Sequence, residues 1–288
     1  MRKIGHAGTL DPLAEGLLII LLNKATRLSY YFLSMDKEYV SEFKLGVVTD
    51  TWDLDGRIVE SKKIKNLNAA DTEKKLSSLI GEYRQVPPIY SAIKYKGKPL
   101  YYYARKGKKV KAEPRLVKIN NIGMLSLAGD ILTVRINCSS GTYVRSIANE
   151  VGEMLGCGAA VKSLTRTKIG TFNVKNSIKL EDFVSEKFDS EDLYKKPFFI
   201  SLEEVLRDNQ DIYVKDEYKK MVKNGQPVSK MMIDNSKIKS RIVLKKGELV
   251  KIKDTSGKLM AIHEIFNETD YKKCFNEYIK LTKSIVIC

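Results

Sequence analysis

Apolar residues recur along the chain with two periods, and together these predict most of its elements. From Lys37 to Leu45 the pattern alternates, which places Tyr39, Phe43 and Leu45 on one face of a strand. Gly129-Asp130 joins two strand-like runs, and in the second Leu132, Val134, Ile136 and Cys138 share a face. Asn68 starts a helix carrying Leu76, Leu79 and Ile80, which Gly81 stops. Val144, Ile147, Ala148, Val151, Met154 and Leu155 recur at helical spacing up to Gly156. The continuous apolar run Leu17–Leu22 reads as a strand buried on both faces, and Asp53-Leu54-Asp55-Gly56 as a turn. Strands and helices mix without regular βαβ alternation or internal repeat. The expected fold class is therefore α/β (α+β), with a mixed, mostly antiparallel sheet flanked by helices.

A chain of 288 residues is long enough for about two domains. The helical pattern of Ser201–Arg207 ends near Asp208–Gln210, which assigns residues 1–208 to one domain and 209–288 to another. Beyond that boundary, short runs split by Asn224-Gly225, Lys246-Gly247 and Ser256-Gly257 predict a small all-β module. The formal net charge is +16, of which +7 falls on the last 80 residues, about twice the density of the first 208. Such an excess implies a polyanionic partner, nucleic acid before membrane, with a solvated lysine-rich surface as the plain alternative. The longest apolar run has six residues, against ~20 needed to cross a bilayer, and Asp11 and Glu15 interrupt any signal-peptide core. Membrane insertion and secretion are thus excluded, and the four dispersed cysteines read as reduced, cytosolic thiols. His6 and His263 cannot complete a zinc set, and no glycine-rich phosphate or dinucleotide loop is present. Chemistry on side chains alone, with no metal and no nucleotide cofactor, is the expectation.

Two segments carry candidate function. Lys94–Lys118 holds ten Lys or Arg against one acid, Glu113, with Tyr95, Tyr101, Tyr102 and Tyr103 interleaved. Cations neutralise phosphates and aromatic faces stack on unpaired bases, a pairing suited to looped or single-stranded RNA. The alternative is a charged loop whose tyrosines pack on their own domain. The second segment, Gly5-His6-Ala7-Gly8-Thr9-Leu10-Asp11-Pro12, is a structured loop whose aspartate would, on composition alone, be a cap or turn residue.

As a unit, however, that string closely resembles the catalytic loop of the bacterial tRNA pseudouridine-55 synthases, G-H-x-G-[ST]-L-D-P-x-A-x-G. Further segments follow in the family's order. Lys37-Glu38-Tyr39 resembles its K-x-Y strand, and Gly46, Thr49-Asp50-Thr51, Asp53 and Gly56 its G-x-x-T-D-T-x-D-x-x-G turn. Gln85–Ala92 with Lys94 matches Q-x-P-P-x-[YF]-S-A-x-K, and Leu100-Tyr101, Ala104-Arg105 and Gly107 continue into an RNA-clamping insertion at about 94–118. Cys138–Arg145 resembles C-S-x-G-T-Y-[IV]-R, and Leu164–Thr167 with Gly170 and Phe172 resembles L-x-R-T-x-x-G-x-F. Residues 209–288 look like the family's PUA-type RNA-binding domain. Members carry a strand and helix ahead of the loop, whereas this sequence starts at Met1, so the natural reading frame is expected to extend upstream by a few dozen residues.

The resemblance implies isomerisation of uridine to pseudouridine at position 55 in the T-loop of tRNA, by base flipping and by cleavage and re-formation of the glycosidic bond. Asp11 is the implied essential carboxylate, with Glu15 structural; Arg166 is the implied cation that keeps Asp11 ionised, and Tyr39 the lid over the base. His6 fills the space of the extruded base, and Asp50 orders its loop or contacts RNA. Tyr143, Lys94, Arg105, Lys106, Lys108, Lys109 and Lys111 complete the expected RNA-binding set. The implied protein is a cytoplasmic monomer acting on the tRNA T-arm. The competing reading is a non-catalytic RNA-binding or tRNA-folding protein on the same scaffold.

Overall fold

The computed structural model describes residues 3–65, 67–108, 110, 112–186, 190–226, 228–237, 243–244, 247–265, 269–270 and 285–286. Its strands and helices run β1 (Ile4–His6), β2 (Ala14–Gly16), β3 (Ile20–Leu22), α1 (Ser29–Ser34), β4 (Lys37–Leu45), β5 (Val47–Thr49), β6 (Ile58–Ser61), α2 (Ala69–Ser77) and β7 (Gly81–Gln85). They continue with β8 (Lys94–Tyr95), β9 (Lys98–Pro99), α3 (Leu100–Arg105), β10 (Arg115–Ala128), β11 (Ile131–Cys138), α4 (Val144–Met154), β12 (Ala159–Ile169) and β13 (Phe172–Asn173). Three short helices follow, α5 (Leu180–Ser185), α6 (Ser190–Lys195) and α7 (Leu202–Val205). The last stretch holds β14 (Asp211–Tyr213), α8 (Lys219–Lys223), β15 (Val243–Leu244), β16 (Leu249–Lys253), β17 (Leu259–Glu264), β18 (Thr269–Asp270) and β19 (Ile285–Val286).

Two compact units result. One comprises His6–Ile20 and Tyr30–Ser177, the other Met1–Gly5, Leu21–Ser29 and Ile178–Cys288. The division falls about thirty residues ahead of the expected 208/209 boundary, because α5 to α7 group with the C-terminal sheet, which itself starts at Asp211.

The first unit is built on a sheet of order β13-β12-β4-β11-β10-β7, with β2 pairing off this path along β12. β4 lies at its centre, antiparallel to β11 (Tyr39 opposite Ile136) and to β12 (Tyr39 opposite Arg166). The β2–β12 pair is parallel, setting Gly16 beside Arg166. The mostly antiparallel sheet expected from the sequence is therefore present. The alternation seen in β4 and β11 becomes one buried face of Phe43, Leu45, Leu132, Val134, Ile136 and Cys138. α2 and α4 cover that face with Leu76, Val144, Ile147, Ala148 and Val151. Asn68 caps α2, its side chain accepting from the amides of Ala70 and Asp71.

The Leu17–Leu22 expectation needs correction. Leu17 and Leu21 are buried, but Leu18, Ile20 and Leu22 are 42%, 52% and 39% exposed. Among the described residues β3 pairs with β1 alone, as a two-stranded ribbon with one covered face, so continuous hydrophobicity there does not mean two-sided burial.

In the second unit β14, β16, β17 and β19 form a sheet around Ile212, Val214, Val250, Ile252, Met260 and Ala261. Helix α8 contributes Val222 to this core, so the module is not all-β as expected. Cys138 and Cys157 are buried free thiols, and Cys274 and Cys288 lie outside the described residues.

Candidate active site

Asp11 sits at the tip of a loop between β1 and β2 that folds back through its own backbone. The amide of Ala14 donates to the Asp11 carbonyl at 2.9 Å, that of Ala7 to Ile19 at 3.0 Å, and that of Leu17 to Arg166 at 2.8 Å. Gly8 takes φ +101°, a conformation L side chains rarely adopt, and a Cβ on Gly16 would lie 2.4 Å from the Arg166 carbonyl oxygen. Two of the three glycines of the loop pattern, Gly8 and Gly16, are thus dictated by backbone geometry.

The Asp11 side chain remains 31% exposed, while the cation that holds it, Arg145, is 5% exposed. Arg145 Nε donates to Asp11 Oδ2 at 2.8 Å. Its Nη1 donates to the Thr51 carbonyl at 3.2 Å and lies 3.4 Å from Asp53 Oδ2, and Nη2 donates to the Tyr90 carbonyl at 3.1 Å. A planar fork with five donors is the one side chain able to meet four acceptors in this arrangement. Arg145 is the second residue of α4, whose apolar face anchors the helix in the core. Gln85 fixes the entry to that helix, its Oε1 accepting from the Tyr143 amide at 2.8 Å and its Nε2 donating to the Tyr143 carbonyl at 3.2 Å.

The turn carrying Asp53 is equally constrained. Thr51 Oγ1 donates to Asp53 Oδ1 at 2.5 Å, and Trp52 between them adopts φ +62°. A Cβ on Gly56 would stand 2.1 Å from Thr51 Oγ1, so the turn closes only around glycine. Burial raises the Asp53 carboxyl above its ordinary value, against the hydrogen bond from Thr51 and the charge of Arg145.

Here the structure corrects the sequence reading. The cation paired with Asp11 is Arg145, and Arg166 touches no carboxylate among the described residues. Arg166 is buried on the same face of β12 as Leu164, and its guanidinium donates to the carbonyls of Leu17 (2.8 Å), Gly8 (3.0 Å) and Thr9 (3.4 Å). Arg145 ends the C-S-x-G-T-Y-[IV]-R segment, and nothing local to that segment marks it as the partner of Asp11, because only the tertiary path of the Asp11 loop decides which arginine it meets. Tyr39, across the strand pair from Arg166, has its phenol pushed up to about 12, chiefly by burial, with nearby Arg166 acting in the opposite direction. Lys37 is buried too, donating to the carbonyls of Leu33 and Met35; burial first, and then Arg166, lower its ammonium to about 8.

The remaining expected residues are dispersed. His6 is exposed at the end of β1, and Glu15 accepts a hydrogen bond from Thr165 at 3.1 Å, which suits a structural role. Asp50 binds the Arg57 amide at 2.9 Å and so orders its own turn. Burial raises the Tyr143 phenol. Lys94, Arg105, Lys106 and Lys108 are exposed, and Lys109 and Lys111 lie outside the described residues. Tyr103 packs edge-on against both Tyr95 and Tyr102, while Tyr101 is exposed. Lys98 and Lys106 both donate to the exposed Tyr102 hydroxyl and lower it to about 8. Among the described residues no helix is long and apolar enough to cross a membrane.

Residues 1–144 match the TruB family pseudouridylate synthase N-terminal domain, and residues 145–209 the tRNA pseudouridylate synthase B C-terminal domain. The tRNA pseudouridine synthase B of Endomicrobium trichonymphae is 47% identical over 182 residues, 63% of this chain and 79% of that one. Its namesake from Clostridium tetani is 37% identical over 85% of this chain and 82% of its own length. The one from Thermotoga maritima is 34% identical over 96% of this chain and 85% of its own. Among solved structures, a chain of a Cbf5-Nop10-Gar1 complex superposes with a TM-score of 0.69 at 24% identity, covering 99% of this chain and 77% of that one.

Proposed function

The chain belongs to the TruB family of pseudouridylate synthases and isomerises uridine to pseudouridine in tRNA; on that footing we propose that its target is the uridine at position 55 of the T-loop and that Asp11 carries the bond-breaking step. The reaction breaks the N1–C1′ bond, turns the base and joins C5 to C1′. The observation that carries the proposal is a half-open carboxylate gripped by a buried guanidinium, Asp11 Oδ2 at 2.8 Å from Arg145 Nε. Three further acceptors, the Thr51 and Tyr90 carbonyls and Asp53, hold Arg145 in place, so it orients the carboxylate without reorganising during the reaction. The exposed side of Asp11 then attacks the sugar carbon or takes a sugar proton.

Tyr39 supports the same reading. Its ring stacks on the flipped base, and with a pKa near 12 it enters the reaction as a phenol, relaying the C5 proton rather than starting as a phenolate. His6 fills the space of the extruded base. The exposed Lys94, Arg105, Lys106 and Lys108 of the insertion hold T-arm phosphates together with Lys109 and Lys111, while Asp50 and Tyr143 border the RNA. Residues 209–288 act as a PUA-like second RNA grip after a catalytic domain of residues 1–208, and the enzyme works as a cytoplasmic monomer without metal or nucleotide cofactor.

Asp11→Asn tests the assignment. It abolishes pseudouridine formation while tRNA affinity changes less than about tenfold, because binding is spread over many phosphate contacts. Turnover within tenfold of the parent would overturn it. Reverse-transcription mapping of carbodiimide-treated tRNA reports the modified position, and a product elsewhere than 55 would overturn the T-loop target.

A further inference from the structure

We infer that Arg166 is a positioning residue that sets Asp11 through the backbone, holding the two legs of the catalytic loop at a fixed separation. The inference rests on Asp11 being the reacting carboxylate. Three observations lead to it. Arg166 is 2% exposed, yet among the described residues it has no carboxylate partner, an expensive location for a cation unless its donors are filled. Its guanidinium reaches carbonyls on both legs of the loop, Gly8 and Thr9 on the leg leading to Asp11 and Leu17 on the leg leaving it, with the Tyr39 hydroxyl as a further hydrogen-bond partner. Its own backbone adds a fourth tie, the Arg166 carbonyl accepting from the Leu17 amide at 2.8 Å.

The loop's sequence is shaped to this grip. Gly16 leaves no room for a side chain against the Arg166 backbone, and positive φ at Gly8 turns its carbonyl within 3.0 Å of Nη2. One planar group thereby fixes residues on both sides of Asp11, while Arg145 fixes the carboxylate itself. Lysine cannot reproduce the clamp, since one ammonium cannot span both legs as the fork does. Lys37, the neighbouring buried cation, shares the logic, donating to the carbonyls of Leu33 in the last turn of α1 and of Met35 just after it. Arg166 thus acts by geometry, where the resemblance had implied an ion pair.

The experiment compares Arg166→Met and Arg166→Lys with the parent by single-turnover kinetics on a tRNA transcript and by amide hydrogen exchange. In Arg166→Met the rate constant for chemistry falls at least thirtyfold with the half-saturating tRNA concentration within threefold, and the Ala14 and Leu17 amides exchange at least tenfold faster. Arg166→Lys falls between the parent and Arg166→Met; if the methionine variant does not fold, the lysine variant carries the same measurements. A rate within threefold of the parent, a loss confined to tRNA affinity, full activity in Arg166→Lys, or unchanged exchange in the loop would each overturn the inference. Failure of the Asp11 assignment is distinguishable, because it shows as turnover in Asp11→Asn and leaves the exchange result intact.

Discussion

At the residue scale, the site depends on one cation divided between two carboxylates. Arg145 meets Asp11 and Asp53 simultaneously, so removing it leaves the Asp53 carboxylate, 7% exposed, without its countercharge. Breaking one side of such a buried pair costs about 3–5 kcal/mol. Arg145→Met is therefore expected to lower the melting temperature as well as activity. Arg145→Lys keeps the charge but loses the fork, and a loss of ~10²–10³ in the chemical step is expected, the usual size for a misplaced electrostatic group. Single-turnover rates beside thermal melts check both, and an Arg145→Lys enzyme as fast as the parent would refute the geometric argument. The two arginines also show where sequence reading stops. Period-two alternation along β12 puts Arg166 on the same face as the buried Leu164, because the face a strand residue takes is a local property. Which arginine reaches Asp11 is set by contacts 134 residues apart for Arg145 and over 149 residues for Arg166, and no spacing encodes that.

At the element scale, β17 carries a group that couples folding to pH. His263 is fully buried, and neither ring nitrogen meets a hydrogen-bond partner among the described residues; burial lowers its pKa to about 4. The unfolded chain takes up this proton near 6.5 and the folded one only near 4. Stability from His263 is thus complete above pH 6.5 and is lost progressively as pH falls toward 4. Thermal melts of the C-terminal unit at pH 7, 5.5 and 4.5 are expected to show this loss in the parent and less of it in His263→Phe. Identical slopes in both proteins would assign the acid sensitivity elsewhere. Elements with a strong internal period were legible: β4, the β10–β11 hairpin, α2 with its Asn68 cap, and α4. The Leu17–Leu22 run was not, since the number of faces a strand buries depends on neighbours its own residues do not specify. Helix α8 was missed because five residues are too few to show a period.

At the scale of the whole molecule, the charge of +16 makes RNA affinity a function of ionic strength. Neutralising Lys106, Lys108, Lys109 and Lys111 together is expected to weaken tRNA binding and to flatten its salt dependence, each lost phosphate contact lowering the log–log slope by ~0.7–0.9. A slope equal to the parent's would mean that these lysines face only solvent. The central position of β4 has a consequence of a different kind, for the birth of the chain. Both edges of β4 are filled by strands that come much later in sequence, β11 and β12. On a ribosome adding ~5–20 residues per second, the roughly 90 residues between β4 and β11 take about 4–17 s to appear. Through that interval the strand destined for the middle of the sheet has neither partner. Lys37, Glu38, Glu42 and Lys44 are spaced along it, and charges so placed discourage a bare strand from pairing with the wrong neighbour while synthesis finishes.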